Sequence, residues 1–299
     1  PALIEFEEQS QSNFKSELFK VTDTISGKMM VIRDDITPQI SRIVKDRFDN
    51  GSEKNKTASQ NNKSPMRLAY TGQVIKKQTK GKNKERQLTQ TGYELISEKS
   101  IKRDAEVIYI VIETLEKIGL ENFTIDLTYP NLINQLIAES SLPQEEVDLL
   151  IAKIEAKDLA SIQEEFKYLV EYISLLDEAE NLSGSIECLN KFSAKIDNKK
   201  VIEKLDEIKN ILEYLANSVS DFKVSLNLFE SSEFNNYSGI CFSVIANNTL
   251  DEIARGGRYE INDNNSEKIS GCGATFFVNS VVNEIVNSGS DKTEIDERQ

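Results

Sequence analysis

Two adjacent glycines, Gly256 and Gly257, lie inside the apolar and aromatic run 253–259. Because glycine has no Cβ, the backbone there can pass close to a ligand or to another strand that a side chain would block. Arg255 and Arg258 flank the pair, and a guanidinium group suits the binding of carboxylate or phosphate. The stretch therefore predicts either a bulged strand with surface arginines or a strand beside a ligand site.

The pattern of apolar residues predicts strands, then a long helical block, then more strands. The run 29–32 predicts a buried strand. Asp35 or Thr37 can cap the helix that follows, with Pro38 in its first turn and Ile43 on its apolar face. Further predictions are strands at 67–75, 86–96, 123–129, 222–229, 237–244 and 269–278, helices at 104–118 and from 278 to about 286, and a loop at 49–65.

A short loop joins the strands at 67–75 and 86–96, which favours an antiparallel pair. Residues 131–218 are almost wholly helical in pattern, with breaks at 142–145 and 181–185. The predicted fold class is α+β, an antiparallel sheet flanked by helices. Its core would comprise 1–130 and 219–286, with a helical insertion at 131–218 and a loose polar tail at 287–299.

The amino-acid composition excludes several kinds of catalytic and metal-binding site. The 299 residues include no histidine, which excludes Ser-His-Asp and Cys-His catalysis and most zinc sites. Cys188, Cys241 and Cys272 lack metal-ligand spacing, so we expect no metal and no cofactor, and a cytoplasmic, reducing location. No apolar run is long enough to span a membrane. The net charge of −14 argues against general binding to nucleic acid or to a membrane surface.

Two features of the predicted hairpin suggest ligands. Gln90, Gly92 and Glu94 alternate along its return strand and so face one way, with Gly92 leaving room for a small polar ligand between an amide and a carboxylate. An ordinary half-exposed polar face explains the same pattern. The loop 76–86 is locally basic and suits the phosphates of a nucleotide or of RNA, although a solvated loop explains it equally well.

Four segments in order resemble the catalytic core of class II aminoacyl-tRNA synthetases of the histidyl type. They are Arg-Asp-Asp-Ile-Thr at 33–37, Arg-Gln-Leu-Thr-Gln-Thr-Gly-Tyr-Glu at 86–94, Asn-Tyr-Ser-Gly at 236–239 and Gly-Gly-Arg-Tyr-Glu at 256–260. The resemblance covers most of 1–130 and 222–286, and it implies the antiparallel synthetase fold.

Departures from the synthetase pattern distinguish two kinds of relative. Lys76 and Gln78 stand where synthetases hold ATP with arginine and glutamate, and Ser232 and about Ser280 replace two further arginines. Loss of such groups weakens the transition state for adenylation by several kcal/mol each, as an order of magnitude. The chain is therefore more similar to the regulatory subunit of ATP phosphoribosyltransferase, a paralogue that is not an enzyme. This likeness implies a short-form catalytic subunit as partner, a homodimer within a hetero-oligomer, and a role in histidine biosynthesis.

The resemblance also implies a histidine-binding pocket, because the positions that grip the amino acid in histidyl enzymes keep usable side chains. L-histidine would then be an effector bound in this pocket, although the pocket is equally consistent with a structural remnant, and the subunit interface is another place for histidine. The implied ligand-binding residues are Asp35, Thr37, Arg86, Gln90, Glu94, Tyr237, Arg255 and Arg258.

Two other functions fit the same residues. A divergent or truncated histidyl-tRNA synthetase would use the basic loop 76–86 at the acceptor end of its tRNA, and it would exchange pyrophosphate with ATP. An RNA-binding module of this fold would use the same loop and would show strongly salt-dependent affinity.

Overall fold

The computed structural model describes residues 2–3, 18–49, 65–77, 85–130, 132–138, 142–156, 158–166, 186–219, 222–228, 237–262 and 268–293. Its main feature is a seven-stranded sheet with the strand order β4-β5-β10-β9-β8-β6-β7, and a smaller sheet has the order β1-β3-β2. The strands are β1 (Ala2–Leu3), β2 (Phe19–Thr22), β3 (Met29–Ile32), β4 (Met66–Ile75), β5 (Gln87–Ile96), β6 (Phe123–Thr128), β7 (Lys223–Leu226), β8 (Tyr237–Ala246), β9 (Glu252–Asn262) and β10 (Lys268–Phe277).

Eight helices accompany these strands in the described ranges. All neighbouring strands of the large sheet are antiparallel except β6 and β7, and the chain between those two supplies the long crossover that a parallel pair requires. The helices are α1 (Thr37–Asp49), α2 (Ile101–Lys117), α3 (Leu132–Ala138), α4 (Gln144–Glu155), α5 (Leu159–Glu165), α6 (Ile186–Ser193), α7 (Lys199–Ala216) and α8 (Val278–Thr293).

One face of the large sheet carries the main core. Helix α2 packs there through an apolar stripe at helical spacing, and α7 adds a second stripe. The apolar residues of α2 that are buried in this core are Ala105, Val107, Ile108, Val111, Ile112 and Leu115.

Helix α1 packs near the opposite face, through Ile40 and Val44 against Val74 and Tyr259. Ile43, which the sequence places on the same stripe, is 44% exposed, so that prediction is wrong. Ile43 follows Ile40 by three residues, and its side chain lies at the solvent edge of the stripe rather than beneath the helix.

The predicted order of strands, helices and strands is confirmed, as is the antiparallel pairing of β4 with β5. The last helix is longer than predicted, because it continues to Thr293 and takes in much of the expected tail. Asn287 and Ser288 there donate side-chain hydrogen bonds to the carbonyls of Asn283 and Ile285, so these polar side chains bond to the backbone of the same helix. The predicted break at 181–185 and nearly all of the predicted loop at 49–65 lie outside the described residues.

Helices α3–α7 all fall between β6 and β7, the interval predicted to be an insertion. Lys204 of α7 lies 4.9 Å from the ring of Tyr129, and Glu207 of α7 pairs with Lys99 at 2.6 Å, so this block packs on the sheet domain. The division into a core and an insertion stays a prediction. Among the residues that the structure describes, no helix is both long and apolar enough to cross a membrane.

Candidate functional site

The sheet face next to α1 collects polar side chains from six elements, and Glu94 on β5 is at their centre. Glu94 is 2% exposed. Thr37 at the start of α1 donates to its Oε1 at 3.1 Å, and Tyr259 on β9 donates to its Oε2 at 2.9 Å. Gly273 lies opposite Glu94 on β10, where a Cβ would come within 1.7 Å of Oε2, so glycine makes room for the carboxyl.

Burial raises the pKa of Glu94 to about 8. The hydrogen bonds from Tyr259 and Thr37 oppose that rise, and the charge of Asp35 adds to it. Glu94 is therefore a carboxyl that holds its proton near neutral pH. A cationic ligand beside it would favour the ionised form.

The first turn of α1 is hydrogen-bonded to the same face of the sheet through its backbone. The N–H of Ile36 donates to Gln90 Oε1 at 3.2 Å and to Asp35 Oδ1 at 2.6 Å. The N–H of Thr37 also lies 3.4 Å from Asp35 Oδ1, so Asp35, one of the two predicted caps, accepts from the backbone at the start of the helix. Asp35, Thr37, Gln90 and Glu94 are thus brought together although 53 residues separate Thr37 from Gln90.

Tyr237 joins this group from β8, where it lies opposite Tyr259. Burial raises its pKa, the neighbouring Cys241 adds to the rise, the charge of Arg255 opposes it, and the charges of Asp35 and Glu94 contribute smaller increases. Side chains of residues paired across neighbouring strands project to the same face, so Tyr237 lies on the face of the sheet that carries Tyr259 and Glu94. Five of the eight predicted ligand residues therefore line one site.

The space above Gly92 is filled, contrary to the expectation that a ligand lies there. Tyr70 is opposite Gly92 on β4, and a Cβ on Gly92 would come within 2.5 Å of its hydroxyl. That hydroxyl makes a 2.6 Å hydrogen bond with Thr275 and lies 3.4 Å from the Thr37 hydroxyl. Glycine at this position accommodates an aromatic ring of the protein, and Tyr70 limits the size of the site.

Arg86 and Arg255 lie at the margins of the polar site around Glu94. Arg86 donates to the carbonyls of Lys76 and Lys77 at 3.3 and 2.9 Å and stacks on the ring of Phe19, so it braces the base of the β4–β5 hairpin. Arg255 is opposite Thr275, at the level of Tyr70 and Gly92, and its guanidinium pairs with Glu252 at 2.6 Å. Most of the predicted basic loop, 78–84, lies outside the described residues.

Arg258 is not part of the site, and its prediction as a ligand residue is corrected. It is 1% exposed, and its Nε donates to Asp104 of α2 at 2.6 Å while its NH1 donates to Ser270 Oγ at 2.7 Å. Successive side chains of a strand point to opposite faces. Because Tyr259 points toward Glu94, Arg258 points into the helix-packed face and serves the fold.

Tyr70, Tyr259 and Thr275 are site residues that were not singled out from the sequence. Tyr259 lies two positions after Gly257 and four after Arg255, so strand alternation alone puts it on the face of Arg255. Tyr70 and Thr275 become visible only once the strand register is known, because both lie opposite Gly92.

The arrangement suits a small ligand that carries N–H donors and positive charge. Two carboxyls, an amide and phenols converge, while the arginines nearest to them are engaged elsewhere or lie at the margin. Nothing in the described part of the chain forms a group of three cysteine or carboxylate side chains able to hold a metal ion.

The raised pKa of Glu94 predicts a pH-dependent stability. Its value of about 8 in the folded protein exceeds the ordinary glutamate value of 4.5, so protonation favours folding. This contribution is complete below about pH 4.5 and is lost as the pH rises through 8. In urea titrations, the free energy of unfolding of the wild type relative to Glu94→Gln should fall by roughly 2–5 kcal/mol between pH 4.5 and pH 9. A difference that stays constant over that range would contradict a raised pKa.

Comparisons with known proteins identify relatives of this chain. A sequence model of the family described as "Histidyl-tRNA synthetase" matches residues 1–281. A curated relative from Paramagnetospirillum magneticum, "ATP phosphoribosyltransferase regulatory subunit", is 29% identical over 94% of this chain and 71% of its own length. One of the same description from Clostridium acetobutylicum is 26% identical over 84% of this chain and 60% of its own. The chain thus spans about two thirds of the length of these relatives.

Two solved structures extend the likeness to the fold. An "ATP phosphoribosyltransferase regulatory subunit/histidyl-tRNA synthetase" from Bacillus halodurans matches with a TM-score of 0.74 at 22% identity, covering 94% of this chain and 72% of that one. An "ATP phosphoribosyl transferase (HisG:HisZ) complex" from Thermotoga maritima contains a chain that matches with a TM-score of 0.62 at 18% identity, covering 91% of this chain and 94% of that one. The fold is that of the class II synthetases, as the sequence predicts.

Proposed function

The chain belongs to the histidyl-tRNA synthetase family, and from this membership we propose that it is a non-catalytic regulatory subunit of ATP phosphoribosyltransferase. In this role it activates a short-form catalytic subunit and conveys feedback inhibition by histidine. The relatives from Paramagnetospirillum and Clostridium carry that description, and the Thermotoga neighbour belongs to a complex of the transferase.

The observation that carries the proposal is the polar site around Glu94, which the resemblance matches to an amino-acid pocket while it implies that residues that synthetases direct at ATP are replaced. Asp35, Thr37, Gln90 and Glu94 contact one another or the same turn of α1. Lys76 stands in place of the ATP-binding arginine, and its backbone N–H donates to Arg86 within the hairpin. A site that keeps amino-acid contacts without nucleotide contacts is what a sensor of an amino acid requires.

L-histidine is the proposed ligand of this site. Its α-ammonium and imidazole N–H groups match the acceptors at Asp35, Gln90 and Glu94, and Tyr237 supplies a neutral hydrogen bond. Inhibition follows if the histidine-bound and histidine-free chains favour different states of the catalytic subunit, since an effector acts through its differential affinity for two states. A homodimer within a cytoplasmic hetero-oligomer completes the proposal.

A histidyl-tRNA synthetase is the second candidate, favoured by the family that the sequence model describes and by the fold. Histidine-dependent exchange of labelled pyrophosphate into ATP separates the two functions. We expect the purified chain to show no exchange above the protein-free rate, because the positions at Lys76 and near Ser280 lack the arginines that stabilise the adenylation transition state. Exchange that rises with histidine and saturates would establish the synthetase instead.

A further inference from the structure

Arg255 on β9 lies on the same face of the large sheet as Glu94. Residues that are paired across neighbouring strands project their side chains to the same face. Arg255 is opposite Thr275 on β10, and Thr275 is opposite Gly92 on β5, two residues before Glu94. The face that carries the polar site therefore also carries the guanidinium of Arg255, two strands away from Glu94.

A bulge in β9 brings a carboxylate to the same face. The register between β8 and β9 shifts between Val244, which is opposite the buried Ala254, and Ile245, which is opposite Glu252. A bulge inserts one extra residue and re-aims the side chains that follow it. Glu252 and Arg255 are three positions apart, which would put them on opposite faces of a regular strand. The bulge allows both side chains to lie on the site face.

The guanidinium of Arg255 holds the carboxylate of Glu252 through two hydrogen bonds. Its Nε donates to Oε1 at 2.6 Å, and its Nη2 donates to Oε2 at 3.0 Å. The two side chains are 26% and 27% exposed, so solvent reaches the pair. An ion pair that solvent reaches is weak, and the guanidinium fork matches the geometry of any carboxylate. A carboxylate of a ligand can therefore replace that of Glu252 at little cost.

The described side chains that contact Glu94 include no cation that could pair with a carboxylate of a ligand. Arg33, which precedes α1, is another guanidinium near this part of the sheet. Its Nε and Nη1 donate to the carbonyl of Gln73 and to Gln39 Oε1, both at 2.8 Å, so that fork is used by backbone and amide groups of the protein. The fork of Arg255 already holds a carboxylate and is partly exposed.

We propose that Arg255 binds the α-carboxylate of the amino-acid ligand in exchange for Glu252, while Glu94 receives a cationic group of the same ligand. Neighbouring strands lie about 4.8 Å apart and side chains on one face recur about every 6.8 Å along a strand, so the Cα atoms of Glu94 and Arg255 are about 12 Å apart. Their side chains shorten that interval to the scale of one small zwitterion. The site would then select amino acids over amines that lack a carboxylate. This inference rests on the proposed function, because it assumes an amino acid as the ligand.

Histamine tests the inference, because it keeps the imidazole and the amine of histidine and lacks the carboxylate. In calorimetric titrations of the full chain, L-histidine should bind at least about tenfold more tightly than histamine. Arg255→Gln should weaken the binding of histidine by at least about tenfold and change that of histamine by less than about twofold. Glu252→Gln, which removes the competing carboxylate, should strengthen the binding of histidine without strengthening that of histamine.

Arg67→Gln is the matched control. Arg67 is opposite Leu95, on the other face of the sheet, and it also forms an exposed ion pair, with Glu106. Its replacement removes the same charge from the chain and should leave both affinities unchanged. Circular dichroism establishes whether each variant is folded, and the comparison of the two ligands on the wild type needs no variant.

Equal affinities of the wild type for histidine and histamine would overturn the role of Arg255 and leave the proposed histidine sensor intact. Discrimination that persists in Arg255→Gln, or weaker binding of histidine by Glu252→Gln, would do the same. If histidine does not bind the wild type, the histidine site of the proposed function is wrong, and this inference falls with it.

Discussion

Replacing Arg258 by methionine is expected to lower the free energy of unfolding by about 3–5 kcal/mol. The substitution removes a cation that is 1% exposed and leaves the carboxylate of Asp104, itself 2% exposed, without its charge partner. Ser270 and the carbonyl of Ser97 also lose a donor. An uncompensated buried charge is costly because the surroundings cannot replace the solvation that it gave up on folding. Equilibrium urea denaturation near pH 7 measures the loss.

Helix α2 offers a matched control two residues away from Asp104. Glu106 also pairs with a strand arginine, Arg67, but there the side chains are 31% and 59% exposed. Arg67→Met should therefore change the free energy of unfolding by no more than about 1 kcal/mol. The double variant Arg258→Met with Asp104→Leu should recover much of the loss, because no buried charge remains. Equal losses for Arg258→Met and Arg67→Met would show that burial of the pair is not what stabilises it.

The contrast between Arg255 and Arg258 shows what the sequence could supply. Both flank the glycine pair and both were read as ligand residues, yet an odd separation within one strand puts side chains on opposite faces. That rule was available from the sequence, and it also places Tyr259 on the face of Arg255. The partner of Arg258 was not available, since Asp104 looks like an ordinary polar residue at the start of an amphipathic helix.

The register between strands is the feature of the fold that local sequence patterns do not reveal. The strands themselves follow from alternation, and the β4–β5 pairing follows from its short loop. Tyr70 and Thr275 meet above Gly92 because β4, β5 and β10 are aligned in one register. More than 170 residues separate β5 from β10 along the chain. The four motifs pointed to residues that lie on one face of the sheet because a family resemblance carries this register implicitly. The end of α8 was missed because polar residues such as Asn287 and Ser288 gave no apolar stripe to follow.

The second large effect concerns feedback by histidine. We expect a short-form catalytic subunit to have little activity alone, to gain activity when this chain is added, and to lose it again with histidine only in the mixture. The physical reason is linkage, because in the proposed mechanism histidine binds at Glu94 and changes the relative stability of two states of the complex.

Glu94→Gln is the matched variant for this effect. The amide has the shape of the protonated carboxyl, so the fold at pH 7 should be retained, but it cannot ionise to pair with a cationic ligand. Loss of one member of a desolvated charge pair costs about 2–5 kcal/mol, which predicts an affinity for histidine at least about 30-fold weaker. Activation of the catalytic subunit should persist, since the variant leaves the outer surface of the chain unchanged.

The most direct measurement is the initial rate of phosphoribosyl transfer by the catalytic subunit as this chain and then L-histidine are titrated in. We predict activation that saturates with this chain, inhibition by histidine that requires it, and inhibition shifted to much higher histidine concentrations in the Glu94→Gln complex. A catalytic subunit whose rate is the same with and without this chain would contradict the regulatory role.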